Sequence, residues 1–362
     1  MIDTPYLAID LPRLDANLTA MSRRCAEMGI ALRPHAKTHK SPDLARRQID
    51  GGAIGLTVAT IGEAEVFATA AEQIGCRDLF IAYPLWVSEH KGARLRELAR
   101  SVAVRVGVDS VDGAQRLAAE IARTNVEIEV VVEVDSGHHR TGVMPTDAGD
   151  VAAAAAAAGL DVVGVFTFPG HGYGPGTARS DAGSAEAQGL RIAAESLRAK
   201  GIDPRVVSGG STPTVEFAEA GLLTEIRPGV YPFNDAQQIE LGSCGFDDIA
   251  LTAVTTVVHR RGSRVIVDAG SKILGADRPG WTTGFGRVLG VPDARIVALS
   301  EHHATIDYPG QIEPASIPGV GATIRVIPNH VCTAVNLVDT LVVESPGGEP
   351  FSWPVAARGR NS

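Results

Sequence analysis

The first two-thirds of the chain alternate short apolar runs with longer alanine-rich stretches. The runs Ile30–Arg33, Gly55–Ala59, Leu79–Ala82, Val102–Val108, Ile128–Val134, Val162–Thr167, Arg205–Ser208 and Thr224–Arg227 carry little polar interruption. That is the pattern of strands covered on both faces. Between them lie segments with helical periodicity, among them Ile61–Gln73, Gly113–Arg123 and Ala182–Lys200. Eight strands with crossover helices predict a (β/α)8 barrel. A doubly wound open sheet competes with it, because strand count alone does not prove closure.

After about Asp235 the helical periodicity fades. Short runs punctuated by Gly and Pro take over: Leu251–Val258, Arg264–Asp268, Arg295–Leu299, Thr323–Ile327 and Leu337–Val343. They predict a C-terminal all-β domain. The expected division is a barrel over residues 12–235 and a β domain over residues 236–362, with residues 1–11 fitting either. The alanine tract Ala152–Ala158 reads as helix, and no apolar run reaches the roughly 18 residues of a membrane span.

Composition narrows the function. The 362 residues are 44% apolar and 21% charged, a globular balance with a net charge of −9. An acidic chain of this kind is not expected to bind nucleic acid or an anionic membrane surface. The opening Met1-Ile2-Asp3-Thr4-Pro5 has no signal-peptide pattern, and Cys25, Cys76, Cys244 and Cys332 show no disulfide or zinc-finger spacing. A reducing cytoplasm is the expected compartment.

In a barrel, active residues gather at the C-terminal ends of strands. Lys37 follows the first strand inside Arg33-Pro34-His35-Ala36-Lys37-Thr38-His39-Lys40. Neighbouring cations disfavour its ammonium form, and a neutral amine can form a Schiff base; a solvated basic loop is the bland alternative. Ser208-Gly209-Gly210-Ser211-Thr212-Pro213-Thr214 follows the seventh strand. It reads either as a phosphate loop at a helix start or as a glycine turn with a hydroxyl cap. A Schiff-base lysine paired with a phosphate loop points to pyridoxal 5′-phosphate. Pro328-Asn329-His330-Val331-Cys332 continues a strand. If the backbone stays extended, His330 and Cys332 face the same side and suit zinc, against a structural histidine and a buried thiol.

These motifs resemble the fold-type III pyridoxal-phosphate enzymes, in particular the D-serine dehydratase and D-threonine aldolase family. The lysine segment, Val134-Asp135-Ser136-Gly137, Arg140-Thr141-Gly142, Gly210-Ser211-Thr212-Pro213-Thr214, Glu225-Ile226-Arg227-Pro228-Gly229-Val230-Tyr231 and the His-x-Cys pair occur in order along nearly the whole chain. The resemblance implies an alanine-racemase-like barrel plus β domain, a homodimer with the site at its interface, and Lys37 as the Schiff-base residue. It implies Arg140 beside the cofactor's phenolic oxygen, and Tyr173 against the ring. Gly209, Gly210, Ser211 and Thr212, with Gly229 and Tyr231, would hold the phosphate. His330 and Cys332 would bind a divalent metal, zinc before manganese or magnesium.

The implied substrate is a D-3-hydroxy-α-amino acid. Dehydration to a 2-oxo acid and ammonia is the leading reaction, since Cys332 stands where the aldolases tend to have Asp. Retro-aldol cleavage to glycine and an aldehyde is the alternative; a racemase or a non-catalytic cofactor carrier ranks below both. Two departures from the family stand out: Phe168 where a histidine is common, and Glu301-His302-His303 where Glu-His-Gly is common. His138, His139 and His303 are candidates for function with no assigned role.

Overall fold

The computed structural model describes residues 2–362. The chain forms two compact units. One comprises Ala20–Lys37, Pro42–Gly229 and Gly359–Ser362; the other comprises the residues up to Thr19, Thr38–Ser41 and Val230–Arg358.

The first unit is built on eight parallel strands: Ala31–Leu32, Leu56–Val58, Asp78–Pro84, Ala103–Val108, Glu129–Glu133, Asp161–Phe166, Val206–Gly209 and Glu225–Ile226. The second to eighth pair in sequence order, and the eighth pairs with the first. The first and second strands are joined just beyond their regular pairing. Ala36 N–H donates to the Thr57 carbonyl at 2.8 Å, Thr57 N–H donates to the Pro34 carbonyl at 2.8 Å, and His35 bridges Thr57. Sequential order and closure exclude the doubly wound alternative. Helices follow the strands, several started by a hydroxyl cap. The side chains of Thr60, Ser88 and Ser110 accept from the N–H groups of Glu63, Lys91 and Gly113 at 3.0, 3.3 and 3.2 Å. Helices fill the intervals between strands beyond the three segments named above. Leu11–Met28, Pro42–Asp50 and Glu89–Ser101 also form, and the alanine tract extends back to give Ala148–Ala157.

The barrel interior mixes apolar and ionic packing. Phe80, Val131, Val163 and Phe166 form a buried cluster, with the Phe80 and Phe166 rings edge to face at 5.1 Å. Arg33 donates to Glu225 at 2.7 Å and to both oxygens of Asp78 at 2.8 Å. Arg105 bridges Glu129 at 2.8 Å and Glu225 at 3.4 Å.

The second unit is a nine-stranded sheet. Its order is Arg264–Val267, Ala304–Asp307, Val291–Leu299, Gly286–Val288, Thr323–Pro328, Leu251–Arg261, Tyr6–Asp10, Thr340–Glu344 and Phe351–Pro354. Arg264–Val267 also pairs with Leu251–Arg261, so six of the nine strands close on themselves. Tyr6–Asp10 is thereby an interior strand of this sheet, antiparallel to one neighbour and parallel to the other. Two expectations fail here. The run Leu337–Val343 begins as a turn, and its strand is Thr340–Glu344. The extended backbone through the His-x-Cys pair stops at Pro328, and Val331–Val335 is a short helix. Among the described residues, no helix is long and apolar enough to cross a membrane.

Candidate active site

In the barrel unit, the loops after the first, fifth and sixth strands converge on one ring. Lys37 Nζ lies 5.7 Å from the centroid of Phe168, and Arg140 Cζ lies 5.3 Å from it. The His138 ring meets Phe168 edge-on at 5.5 Å, and the Tyr173 ring is tilted against it at 6.2 Å. Two loops therefore interlock. The His138 ring packs on Gly170 and the His171 ring on Gly137, where a side chain at either glycine would collide or crowd. His139 is turned away to Asp135, 2.7 Å from Nδ1 to Oδ2, and is exposed. Burial holds the His138 and His171 rings below the usual histidine value.

The basic surroundings of Lys37 are not what their spacing suggests. Arg33 is neutralised inside the barrel by Glu225 and Asp78. The His35 ring accepts from the Lys37 N–H at 3.5 Å. In the other unit, Lys40 Nζ donates to the Ala357 carbonyl at 3.4 Å and the His39 ring accepts from Ser41 N–H at 3.1 Å. Arg140, distant in sequence, shares the Phe168 ring with Lys37.

The loop after the seventh strand leads into a six-residue 3-10 turn, Thr212–Phe217, instead of an α-helix. Ser211 N–H donates to Thr214 Oγ1 at 3.1 Å, so the Thr214 hydroxyl reaches back to the start of the turn. Gly210 N–H donates to Glu186 Oε1 at 2.6 Å. Gly210 has φ +76, and an added Cβ would stand 2.1 Å from Ile226. A Cβ on Gly209 would stand 2.5 Å from Glu186 Oε1. The loop is thus a close-packed backbone turn with Glu186, buried and raised to about 7 by burial, beneath it. Gly229 lies at the end of the barrel unit; Tyr231 is buried in the other unit.

In the β unit, His330 and Cys332 come together despite the change of backbone. Burial opposes charging of the His330 ring, but the charge and hydrogen bond of Cys332, with Asp235 and Asp277, raise it to about 9. Asp235 is buried, 3.9 Å from His330 Nδ1, and accepts from the N–H groups of Gln238 and Val331 at 3.0 and 3.2 Å. Cys332 Sγ lies 3.2 Å from the hydroxyl of Thr38, the residue that follows Lys37 in the chain. Among the described residues, no three His, Cys, Asp or Glu side chains are grouped to hold a metal. One imidazole and one thiol fit a divalent ion that takes its other ligands from solvent or substrate. The amine and guanidinium flanking an aromatic ring in the barrel unit fit an anionic aromatic aldehyde.

Arg227, Glu133 and Glu186 were missed as candidates. Arg227 is buried, donates to Ser208 Oγ at 2.8 Å, and stacks on Phe166 at 5.2 Å. Glu133 is buried at the end of the fifth strand, within a residue run that reads as uniformly apolar but for its carboxylates.

A closed parallel barrel with a lysine at its first strand end and an attached β domain defines the alanine-racemase-like, fold-type III class. The comparisons agree. The family described as alanine racemase, N-terminal domain, matches residues 9–236, and a putative serine dehydratase domain matches residues 250–344. The chain belongs to this family, the fold-type III pyridoxal-phosphate enzymes. It is 33% identical to a D-threonine aldolase from Arthrobacter sp., over 99% of this chain and 93% of the relative. It is 34% identical to a D-threo-3-hydroxyaspartate dehydratase from Delftia sp. strain HT23, over 91% of each. The structure of that dehydratase superposes with a TM-score of 0.89 at 31% identity, covering 98% of this chain and 97% of that one. A cysteine-to-alanine mutant of a D-threo-3-hydroxyaspartate dehydratase, in a metal-free form, superposes with the same score and coverage.

Proposed function

We propose that this protein is a pyridoxal-phosphate- and metal-dependent lyase of D-3-hydroxy-α-amino acids. The leading reaction is elimination of water to give a 2-oxo acid and ammonia. The observation that carries the proposal is the placement of Lys37 and Arg140 on one aromatic ring at the strand C-termini of a closed barrel.

Pyridoxal phosphate, when bound through Lys37, withdraws electrons from the substrate Cα. A divalent ion held by His330 and Cys332 would act as a Lewis acid on the β-hydroxyl. Lys37 Nζ would be the group that takes the α-proton. Arg140 and Tyr173 both lie against Phe168, and we assign Arg140 to an anionic ring oxygen of the cofactor and Tyr173 to the face of its ring. Gly209, Gly210, Ser211 and Thr212, with Gly229 and Tyr231, are the proposed phosphate contacts. Gly210 N–H and Ser211 N–H donate within the protein, to Glu186 and Thr214, and hold the turn in shape.

If Cα–H breaks and the β-hydroxyl leaves as water, the resulting enamine hydrolyses to the 2-oxo acid and ammonia. If the β-hydroxyl is deprotonated instead, Cα–Cβ breaks to give glycine and an aldehyde. Cys332 favours the first, and the full-length similarity to an aldolase keeps the second in play. A racemase would have no use for the His330–Cys332 pair, and a cofactor carrier none for the nine-stranded unit. Incubation with D-serine, D-threonine and D-threo-3-hydroxyaspartate, with and without chelator, tests the reading. Pyruvate plus ammonia from D-serine supports dehydration; glycine plus acetaldehyde from D-threonine assigns the aldolase.

A further inference from the structure

The segment after the fifth strand leaves and returns to its own strand end. Val143 N–H donates to the Glu133 carbonyl at 3.0 Å, and Asp135 N–H donates to the Val143 carbonyl at 2.9 Å. Gly142 makes the return possible. Its φ is +96, and an added Cβ would stand 2.7 Å from the backbone of both Val134 and Asp135. The return presents Thr141 and Arg140 to the Glu133 carboxyl. Thr141 Oγ1–H donates to Glu133 Oε1 at 3.0 Å. Oε2 is buried and has no hydrogen-bond partner. A cavity of about 10 Å³, room for about one water, is lined by Glu133, Arg140, Thr141, His138, Thr167 and Phe168.

A buried carboxyl oxygen without a partner is costly unless something uses it. The buried cation Arg227 lies near enough to act on Glu133, but it makes no hydrogen bond to Oε2. We infer that Glu133 is a positioning residue of the site: its carboxylate anchors the Arg140–Thr141 turn and sets the net charge that Arg140 presents across Phe168. The inference rests on the cofactor reading above and adds to it the residue that adjusts Arg140.

The surrounding charges agree. Burial raises the Glu133 carboxyl to about 7, against the Thr141 hydrogen bond and the charges of Arg140 and Arg227, while Asp109 pushes the same way as burial. On the returning loop, Asp135 is taken up by His139, and burial, with the Arg140 charge, lowers the His138 pKa. Glu133 therefore changes charge near neutrality, beside the guanidinium that faces the cofactor.

The test is a pH titration of the visible absorbance of the loaded protein, in wild type, Glu133→Gln and Thr141→Val. In wild type the chromophore should show an inflection near neutrality. Glu133→Gln should abolish it and, by leaving Arg140 uncompensated, move the remaining chromophore transition down by about one pH unit. Thr141→Val removes a donor to the ionised carboxylate, so the neutral inflection should move up. A yellow Glu133→Gln protein that titrates like wild type overturns the inference and leaves the cofactor reading intact. If Glu133→Gln does not fold, an unmoved inflection in Thr141→Val overturns the inference as well. A wild type that takes up no cofactor overturns both.

Discussion

Lys37 Nζ stands 5.7 Å from the centre of the Phe168 ring, and the guanidinium of Arg140 stands 5.3 Å from the same point. A cation over an aromatic face gains about 0.5–2 kcal/mol, so the ring orients both groups without neutralising either. Phe168→Leu keeps the apolar volume and removes the quadrupole. It should weaken retention of pyridoxal phosphate roughly 2- to 30-fold. Fluorescence titration of the apoprotein with the cofactor measures this, and an unchanged affinity would contradict the role given to the ring.

The loop over Glu186 predicts a pH dependence of stability. Burial raises this carboxyl from 4.5 to about 7, against the pull of Gly210 N–H and Arg227. The native state then binds more protons than the unfolded state between those values, so the group costs stability as pH rises through about 7. Glu186→Gln keeps an oxygen for Gly210 N–H and removes the ionisation. Relative to wild type, its urea midpoint should rise between about pH 5 and about pH 8. A difference that does not vary with pH would be inconsistent with a buried, titrating carboxyl.

Inside the barrel, Arg33 depends on Glu225. The Arg33 side chain is 2% exposed and the Glu225 side chain 4%. Burial opposes its charge, and Glu225 with Asp78 raises its pKa nonetheless. Glu225→Gln removes the charge that also serves Arg105, and should cost about 3 kcal/mol by equilibrium denaturation. A loss below about 1 kcal/mol would mean that Asp78 alone suffices.

The barrel was legible because its strands are nearly unbroken apolar runs and their spacing leaves room for one helix each. Closure was not, since the joining hydrogen bonds fall at Pro34, His35 and Ala36, outside any regular strand. The lysine and His-x-Cys motifs were visible as residue types. Their surroundings were not: Arg33 is near Lys37 in sequence but faces Asp78 and Glu225 on other strands, while Arg140 is distant in sequence and shares its ring. Phe168 was noticed only as a departure from the family, yet it is where the site's side chains meet. The extended backbone expected through His330 gives way to a helix start, which no alternation of polar residues announces. Glu133 and Glu186 carry no periodic signal either, and their roles come from burial.

The metal pair predicts a loss that chelation should reproduce. Cys332→Ala leaves His330 as the one remaining member of the pair, and should weaken divalent metal binding by at least roughly 100-fold. Elemental analysis after dialysis reads this directly. Metal retained in full by Cys332→Ala would remove the pair from the account.

The central claim is that Lys37 carries the cofactor. Incubation with pyridoxal phosphate, borohydride reduction and peptide mass analysis tests it most directly. The account predicts a phosphopyridoxyl group on the peptide containing Lys37, and neither colour nor label in Lys37→Ala. A label on another lysine, or a wild-type chain that stays unlabelled and colourless, would contradict it.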